Sequence, residues 1–460
     1  MKKEKLQQAL NEISDSLITQ AASAKPRRRA YWLGSLAAAL ALVILCISVL
    51  RPVTVRGLVA SPDYPKMAAY SESAHDAWWN DTRALHDQPK GYADSTETFF
   101  RKSIPLFLNE DTPNPVCSPL SVYMALAMLA ETTAGESQQQ LLDLLGSNDI
   151  HALRNQATQV WEGHYWDDGM STSVLGTSLW LDESCTYNAD TVRTLTDSYY
   201  ASVYRGDLGS EEMDSALQAW LNEHTGGLLE EQAKNMTLSP RTALALASTV
   251  FYQVEWYDNF FEEQNTEGIF HGTAGDVPVT YMNQALSYGP YYWGEDFGAV
   301  SLSLKDDSRM WLILPDEGTT PQALLESGQV MELLYSGGSY ENQKSLIVNL
   351  SLPKFDIAAD MDLKEDLQAL GISHIFDGAS ADFSPIISEA DPCWVDQVDH
   401  AARVAIDEKG VTAAAYTVII LCGAGMPPEE KMDFILDRPF LFIIESNDGL
   451  PLFTGIVNQP

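Results

Sequence analysis

Basic side chains are scarce: 28 Lys and Arg stand against 64 Asp and Glu, for a formal charge of −36. Nine of the basic residues fall within the first 60 positions, so the remainder is more acidic still. Such a surface repels a phosphate backbone, which excludes nucleic-acid binding, and at low salt it steers cationic partners inward. Cysteine is equally sparse. Five occur, none in a CxxC pair, and Cys117, Cys185, Cys393 and Cys422 are too widely and irregularly spaced for a disulfide framework or a zinc site. The eight histidines are scattered, so no metal and no cofactor is expected. There is no G-x-S-x-G nucleophile turn, which argues against a hydrolase. Nor does any short period recur, so a single large domain is expected in place of a repeat array.

Uncharged length is abundant at one place. Tyr31 to Leu50 carries no formal charge and follows the basic run Lys25 to Arg29. Twenty helical residues rise about 30 Å, enough to cross a hydrocarbon layer, and the upstream cations favour a cytoplasmic amino terminus. The expectation is a single-pass cell-membrane protein with a cytoplasmic tail at 1–29, a transmembrane signal anchor at 30–50, an extracellular Pro-bearing stalk at 51–92 and a folded domain at 93–460. The alternative is secretion after cleavage. Met1 to Ser23 has the spacing of a short amphipathic helix.

From Ser95 onward the patterning changes. Phe99 to Phe107 predicts a helix, and Val122 to Thr132 a second, very apolar one capped by Ser118 or Ser121. Apolar runs at Thr172 to Leu181, Ala243 to Tyr252, Val300 to Leu314 and Ser345 to Leu352 predict strands. Helical stretches at Asp190 to Tyr200, Glu212 to Glu223 and Lys364 to Leu370 lie between or after them. Strands and helices mix without strict alternation, which predicts an α+β domain with large, partly antiparallel sheets. Near the carboxy terminus, Asp407 to Thr417 (DEKGVTAAAYT) joins a charged turn, one glycine and a run of small residues. Its composition is that of a segment poised to become a strand.

Six collinear segments then resemble the serpin family over residues 93 to 460. They are NPVCSPLSVYMALAMLAETTAGES at Asn114 to Ser137, WLNEHTGGLLEE at Trp220 to Glu231, VFYQVEWYDNF at Val250 to Phe260, LPKFDI at Leu352 to Ile357, LGISHIFDGASADFSPI at Leu370 to Ile386 and LDRPFLFII before the final strand. The resemblance implies three β-sheets, surrounding helices and an exposed reactive-centre loop. It implies a serine-protease inhibitor, not an enzyme, acting as a suicide substrate: the loop is cut, and its amino-terminal half inserts into the main sheet of a metastable native state. A non-inhibitory binding or chaperone-like serpin is the alternative.

Residue by residue, the resemblance makes Glu408, Gly410, Val411, Thr412, Ala413, Ala414 and Ala415 the hinge. Gly410 supplies backbone freedom there. Side chains of an inserted strand alternate, so Val411, Ala413, Ala415 and Thr417 face inward, and none is charged or proline. Val411 departs from the Thr or Ser usual at that position. Counted from Glu408, the seventeenth residue is Ala424, so the reactive bond is Ala424-Gly425, with Cys422 or Met426 reached by a small change of register. A small residue there suits an elastase-like serine protease, and the acidic domain favours encounter with a basic one. Ser118, Ser121 and His400 match the shutter cluster, Ser248 stands where an Asn is usual, Trp256 matches the tryptophan at the sheet top, and Glu408 with Lys354 resembles the hinge ion pair. Ser248, being short, is expected to reach His400 only through a water. The expected state is a monomer at risk of loop–sheet polymerisation.

Overall fold

The computed structural model describes residues 57–67, 69, 78, 80 and 86–460, apart from 109–111, 170, 235, 288, 337–338, 389–392, 397 and 412–429. The expected tail and anchor at 1–50 lie outside the described residues, as does the reactive loop from Thr412 to Glu429. The expected membrane localisation is corrected: among the described residues no helix is long and apolar enough to cross a membrane.

Helix Pro119–Glu131 sits at the centre of the core. Ser118 caps it by accepting from the Ser121 amide at 3.3 Å, and Pro119 occupies the first turn, where its missing N–H costs nothing. Nearly all its residues are buried, because it is covered on every side, so its sequence is apolar all round and not amphipathic.

Three sheets surround this core. The largest runs in the spatial order Leu58–Ala60, Ala201–Gly206, Thr172–Asp182, Leu244–Glu255, Gly410–Val411, Asp399–Ile406, Phe355–Asp362, with Trp166–Asp167 paired to Thr172–Asp182. A second has seven strands, in the order Gln343–Ser345, Pro290–Trp293, Phe297–Ser303, Arg309–Pro315, Phe440–Glu445, Pro451–Val457 and Val116–Cys117. The third holds Lys431–Ile435, Ile347–Pro353, Gly275–Leu286 and Thr266–Gly272. The architecture is α+β, with three sheets and surrounding helices, as the resemblance implies.

Most predicted elements are present within a few residues. Val300 to Leu314, read as one strand, is instead two antiparallel strands, Phe297–Ser303 and Arg309–Pro315. Lys305, Asp306, Asp307 and Ser308 turn the chain between them, with Asp307 at φ 63° and the Ser308 amide donating to Asp306 Oδ1 at 3.2 Å. Within the stretch read as a stalk, Leu58–Ala60 pairs antiparallel with Ala201–Gly206 and extends the main sheet at its edge. Tyr64 stacks on Trp161 with ring centroids 5.4 Å apart.

Candidate functional site

The site is the interruption in the main sheet. Strand Leu244–Glu255 pairs with Thr172–Asp182 from Leu244 to Gln253. Strand Asp399–Ile406 pairs with Phe355–Asp362 through all eight of its residues. Between these two halves, among the described residues, stand Gly410 and Val411, opposite Glu255 and Val254 on one side, with Val411 opposite Ile406 on the other. Among the described residues nothing pairs with the remaining facing edges of Leu244–Glu255 and Asp399–Ile406.

The top of this slot is closed by a turn. Asp407 Oδ1 accepts from the amides of Lys409 at 2.8 Å and Gly410 at 3.2 Å, an Asx-type arrangement that fixes the reversal. Trp256, 1% exposed, donates its indole N–H to the Asp407 carbonyl at 2.8 Å. The Phe260 amide donates to the Glu408 carbonyl at 2.9 Å. The side chain of Glu408 forms an ion pair with Lys354 and accepts from Asn265 Nδ2 at 2.5 Å. Burial alone would raise the Glu408 carboxyl; the hydrogen bonds from Lys354 and Asn265 outweigh it and hold the carboxyl below its usual value. A second pair joins Lys305 to Glu255, the residue opposite Gly410, with both side chains largely buried. Sequence reasoning missed this pair because fifty residues separate the partners, and no local pattern links them.

Gly410 has a different reason from the one expected. Its φ is not in the left-handed region. A Cβ there would instead stand 2.3 Å from the Val254 carbonyl oxygen and 2.6 Å from Glu255 Cα, so glycine is required by the close approach of two backbones. Val411 is 2% exposed, so its side chain lies on the buried face of the sheet. Thr412, Ala413, Ala414, Ala415, Ala424 and Gly425 lie outside the described residues.

Lower in the slot, the capped end of helix Pro119–Glu131 touches both halves of the sheet. Ser121 Oγ donates to the Ser248 carbonyl at 2.9 Å and lies 3.3 Å from Ser248 Oγ. On the other side the Ser118 amide donates to His400 Nε2 at 3.0 Å. His400 therefore carries its proton on Nδ1, since an accepting Nε2 is bare. Ser248 bonds to Ser121 and not to His400. A cavity of about 20 Å³ lined by Ser118, Ser121 and His400 adjoins them, room for one water.

Arg403 adds a tie that the sequence did not suggest. Its guanidinium grips Asp356 at 2.6 and 2.7 Å and donates to the Leu228 carbonyl at 3.0 Å. That carbonyl follows helix Glu211–His224, whose end is formed by Gly226 and Gly227 at φ 58° and 78°. The W-x-N-x-x-T-x-G segment thus holds the connector that Arg403 fastens to the sheet.

Burial pushes the His400 imidazole down to about 4. Because the folded value lies below the free value of 6.5, the neutral ring contributes stability in full above that pH. The contribution falls as pH drops from there toward about 4 and totals about 3 kcal/mol. Denaturant titrations across that window should show His400→Asn losing this component of the pH dependence. An unchanged slope in the variant would contradict the assigned protonation state.

Comparison with known proteins agrees with this geometry. A family model described as serpin (serine protease inhibitor) matches residues 100–460. The human leukocyte elastase inhibitor is 26% identical over 380 residues, spanning 80% of this chain and 99% of that protein. The alpha-1-antiproteinase of Callosciurus caniceps is 30% identical over 366 residues, spanning 76% and 84%. Among solved structures, the thermophilic serpin tengpin in its native state superposes with a TM-score of 0.72 at 24% identity, over 81% of this chain and 95% of that one. Human thyroxine-binding globulin superposes at 0.70 and 20% identity, over 80% and 99%. With a family model matched over residues 100–460, the chain belongs to the serpin family.

Proposed function

We propose that the protein inhibits a serine protease by offering Ala424-Gly425 as a substrate and then inserting residues from Val411 onward between strands Leu244–Glu255 and Asp399–Ile406. One observation supports this reading: among the described residues Gly410 and Val411 stand between the two strands at one end, and nothing described pairs with the rest of their facing edges. In the reaction, the protease serine Oγ attacks the Ala424 carbonyl carbon, the Ala424–Gly425 peptide bond breaks, and the Gly425 amine leaves with a proton. The resulting ester joins the two proteins. Insertion adds ladder hydrogen bonds on both sides of the new strand and carries the esterified protease away before water completes hydrolysis. The uncut state is then held by a barrier and not by equilibrium.

In this mechanism Asp407, Glu408 and Gly410 anchor the pivot, and Trp256 and Lys354 hold the sheet top. Ser118, Ser121, Ser248 and His400 tie the two halves through one helix end and must let them part. A small residue at 424 suits an elastase-like pocket, and likeness to the leukocyte elastase inhibitor supports that class. Ala424→Arg tests the assignment. Elastase inhibition should fall by about tenfold or more while a trypsin-like protease gains a cut at Arg-Gly. Unchanged elastase inhibition with an unmoved cleavage position would sink it.

A second reading is a binding serpin without rapid insertion, favoured by the resemblance to thyroxine-binding globulin. It predicts clean loop cleavage with no protease complex surviving a denaturing gel.

A further inference from the structure

The turn that follows Trp256 exposes apolar side chains that the core does not use. Eight large hydrophobic residues are exposed among the described residues, and three of them, Tyr257, Phe261 and Ile269, fall within thirteen positions of one another. Phe260 and Phe261 adjoin in sequence with opposite fates. Phe260 is 4% exposed and packs against Trp256 with ring centroids 6.0 Å apart, whereas Phe261, in extended backbone, is 61% exposed. The stretch from Tyr257 to Ile269 also holds Asp258, Glu262, Glu263 and Glu267, and neither lysine nor arginine.

This exposure belongs to a tied loop. The Asn283 side chain donates to the Gln264 carbonyl at 2.7 Å and the Gln284 side chain to the Asp258 carbonyl at 3.3 Å, so adjacent residues of strand Gly275–Leu286 close its base. Inside it the Gln264 amide donates to the Phe261 carbonyl at 2.9 Å, and the Asn265 amide to the Glu262 carbonyl at 3.1 Å. A backbone held in this way presents Phe261, Glu262 and Glu263 with little conformational freedom left to lose on contact.

The loop also adjoins both ends of the segment that carries Ala424-Gly425. At the entering end, the Phe260 amide and the Asn265 side chain hold Glu408. At the leaving end, strand Lys431–Ile435 pairs with Ile347–Pro353, which pairs with Gly275–Leu286. Two strand spacings, about 10 Å in all, separate it from the base of the loop.

We propose that this loop is a second contact surface for the target protease, in which Phe261 fills an apolar recess beside the active-site cleft and Glu262 and Glu263 meet lysine or arginine side chains around it. An apolar anchor ringed by charge has the composition of an interface hot spot with its polar rim. The identity of the partner rests on the inhibitory reading, in which a basic elastase-like protease engages Ala424. Its shallow pocket gains little from so small a side chain, and the loop supplies affinity and selectivity from outside the cleft.

Two variants test it, Phe261→Ser and the double substitution Glu262→Lys with Glu263→Lys. Both leave the backbone ties of the loop and the Asn283 and Gln284 side chains in place, so the thermal midpoint should not move. The full-length protein is titrated by surface plasmon resonance with a basic elastase-like protease carrying alanine in place of its catalytic serine. The dissociation constant should rise about tenfold for each variant. The effect of charge reversal should fade between about 50 mM and about 500 mM salt while that of Phe261→Ser persists. With active protease the association rate constant should fall in parallel, at unchanged stoichiometry of inhibition. Unchanged affinity in both folded variants, or no binding by the parent protein, overturns the proposal. Failure of the parent to trap active protease, with the affinity losses still present, overturns the inhibitory reading and leaves the contact surface standing. Loss of self-association in Phe261→Ser at unchanged protease affinity makes a second copy of the chain the occupant and also overturns it.

Discussion

Replacing Ala413 with arginine is expected to turn the inhibitor into a plain substrate. Val411 points into the core, and strand side chains alternate, so Ala413 and Ala415 share its face once the loop enters the sheet. An arginine on that face would be buried between Val404 of Asp399–Ile406 and Tyr252 of Leu244–Glu255, where neither flanking side chain carries a charge. The cost is about 3 kcal/mol or more, which slows the insertion step by a factor of about a hundred. Deacylation then wins. Protease incubated with the variant should recover full activity after consuming it, with no complex on a denaturing gel, while the uncut variant melts as the parent does. A variant that still formed the complex as rapidly would refute insertion in this register.

Lys354→Glu should release the sheet top. The substitution leaves two carboxylates facing one another where an ion pair stood, with Glu408 largely buried and bonded only to Asn265. Losing the pair and gaining repulsion costs about 2 kcal/mol, discounted for the partial exposure of position 354. The turn at Asp407 to Gly410 then separates more readily from Phe260 and Trp256, and the facing edges of Leu244–Glu255 and Asp399–Ile406 become accessible to the loop of a second molecule. Laddered oligomers should appear on native gels within hours of mild warming, and Glu408→Lys introduced alongside should suppress them by restoring a pair of opposite sign. Oligomers that persist unchanged in the double variant would show that the pair does not hold the top closed.

The sheet strands and the capped helix were legible in the sequence because they depend on local periodicity and caps: Ser118 before Pro119, and alternation through Thr172 to Asp182. The hinge and the residues beneath the slot became legible only through resemblance, since Ser121, Ser248 and His400 meet across more than a hundred residues of chain. Gly410 shows the limit of local reasoning. The residue was singled out for backbone freedom, yet its backbone is ordinary and the requirement is the proximity of Val254 and Glu255. The break within Val300 to Leu314 was hidden because apolar residues flank a turn of only a few polar ones. Glu255 with Lys305, and Arg403 with the Leu228 carbonyl, could not be foreseen, as each joins elements that only the fold brings together.

The central claim is that a cut loop becomes a strand of the main sheet, and the thermal midpoint after a single nick tests it most directly. The protein should be cleaved once between Thr412 and Glu429 by a protease that it does not trap, with both fragments retained. Filling the slot gives paired neighbours to the edges of Leu244–Glu255 and Asp399–Ile406, so the nicked protein should melt at a markedly higher temperature than the intact one. A midpoint that is unchanged or lower after complete nicking would contradict the account.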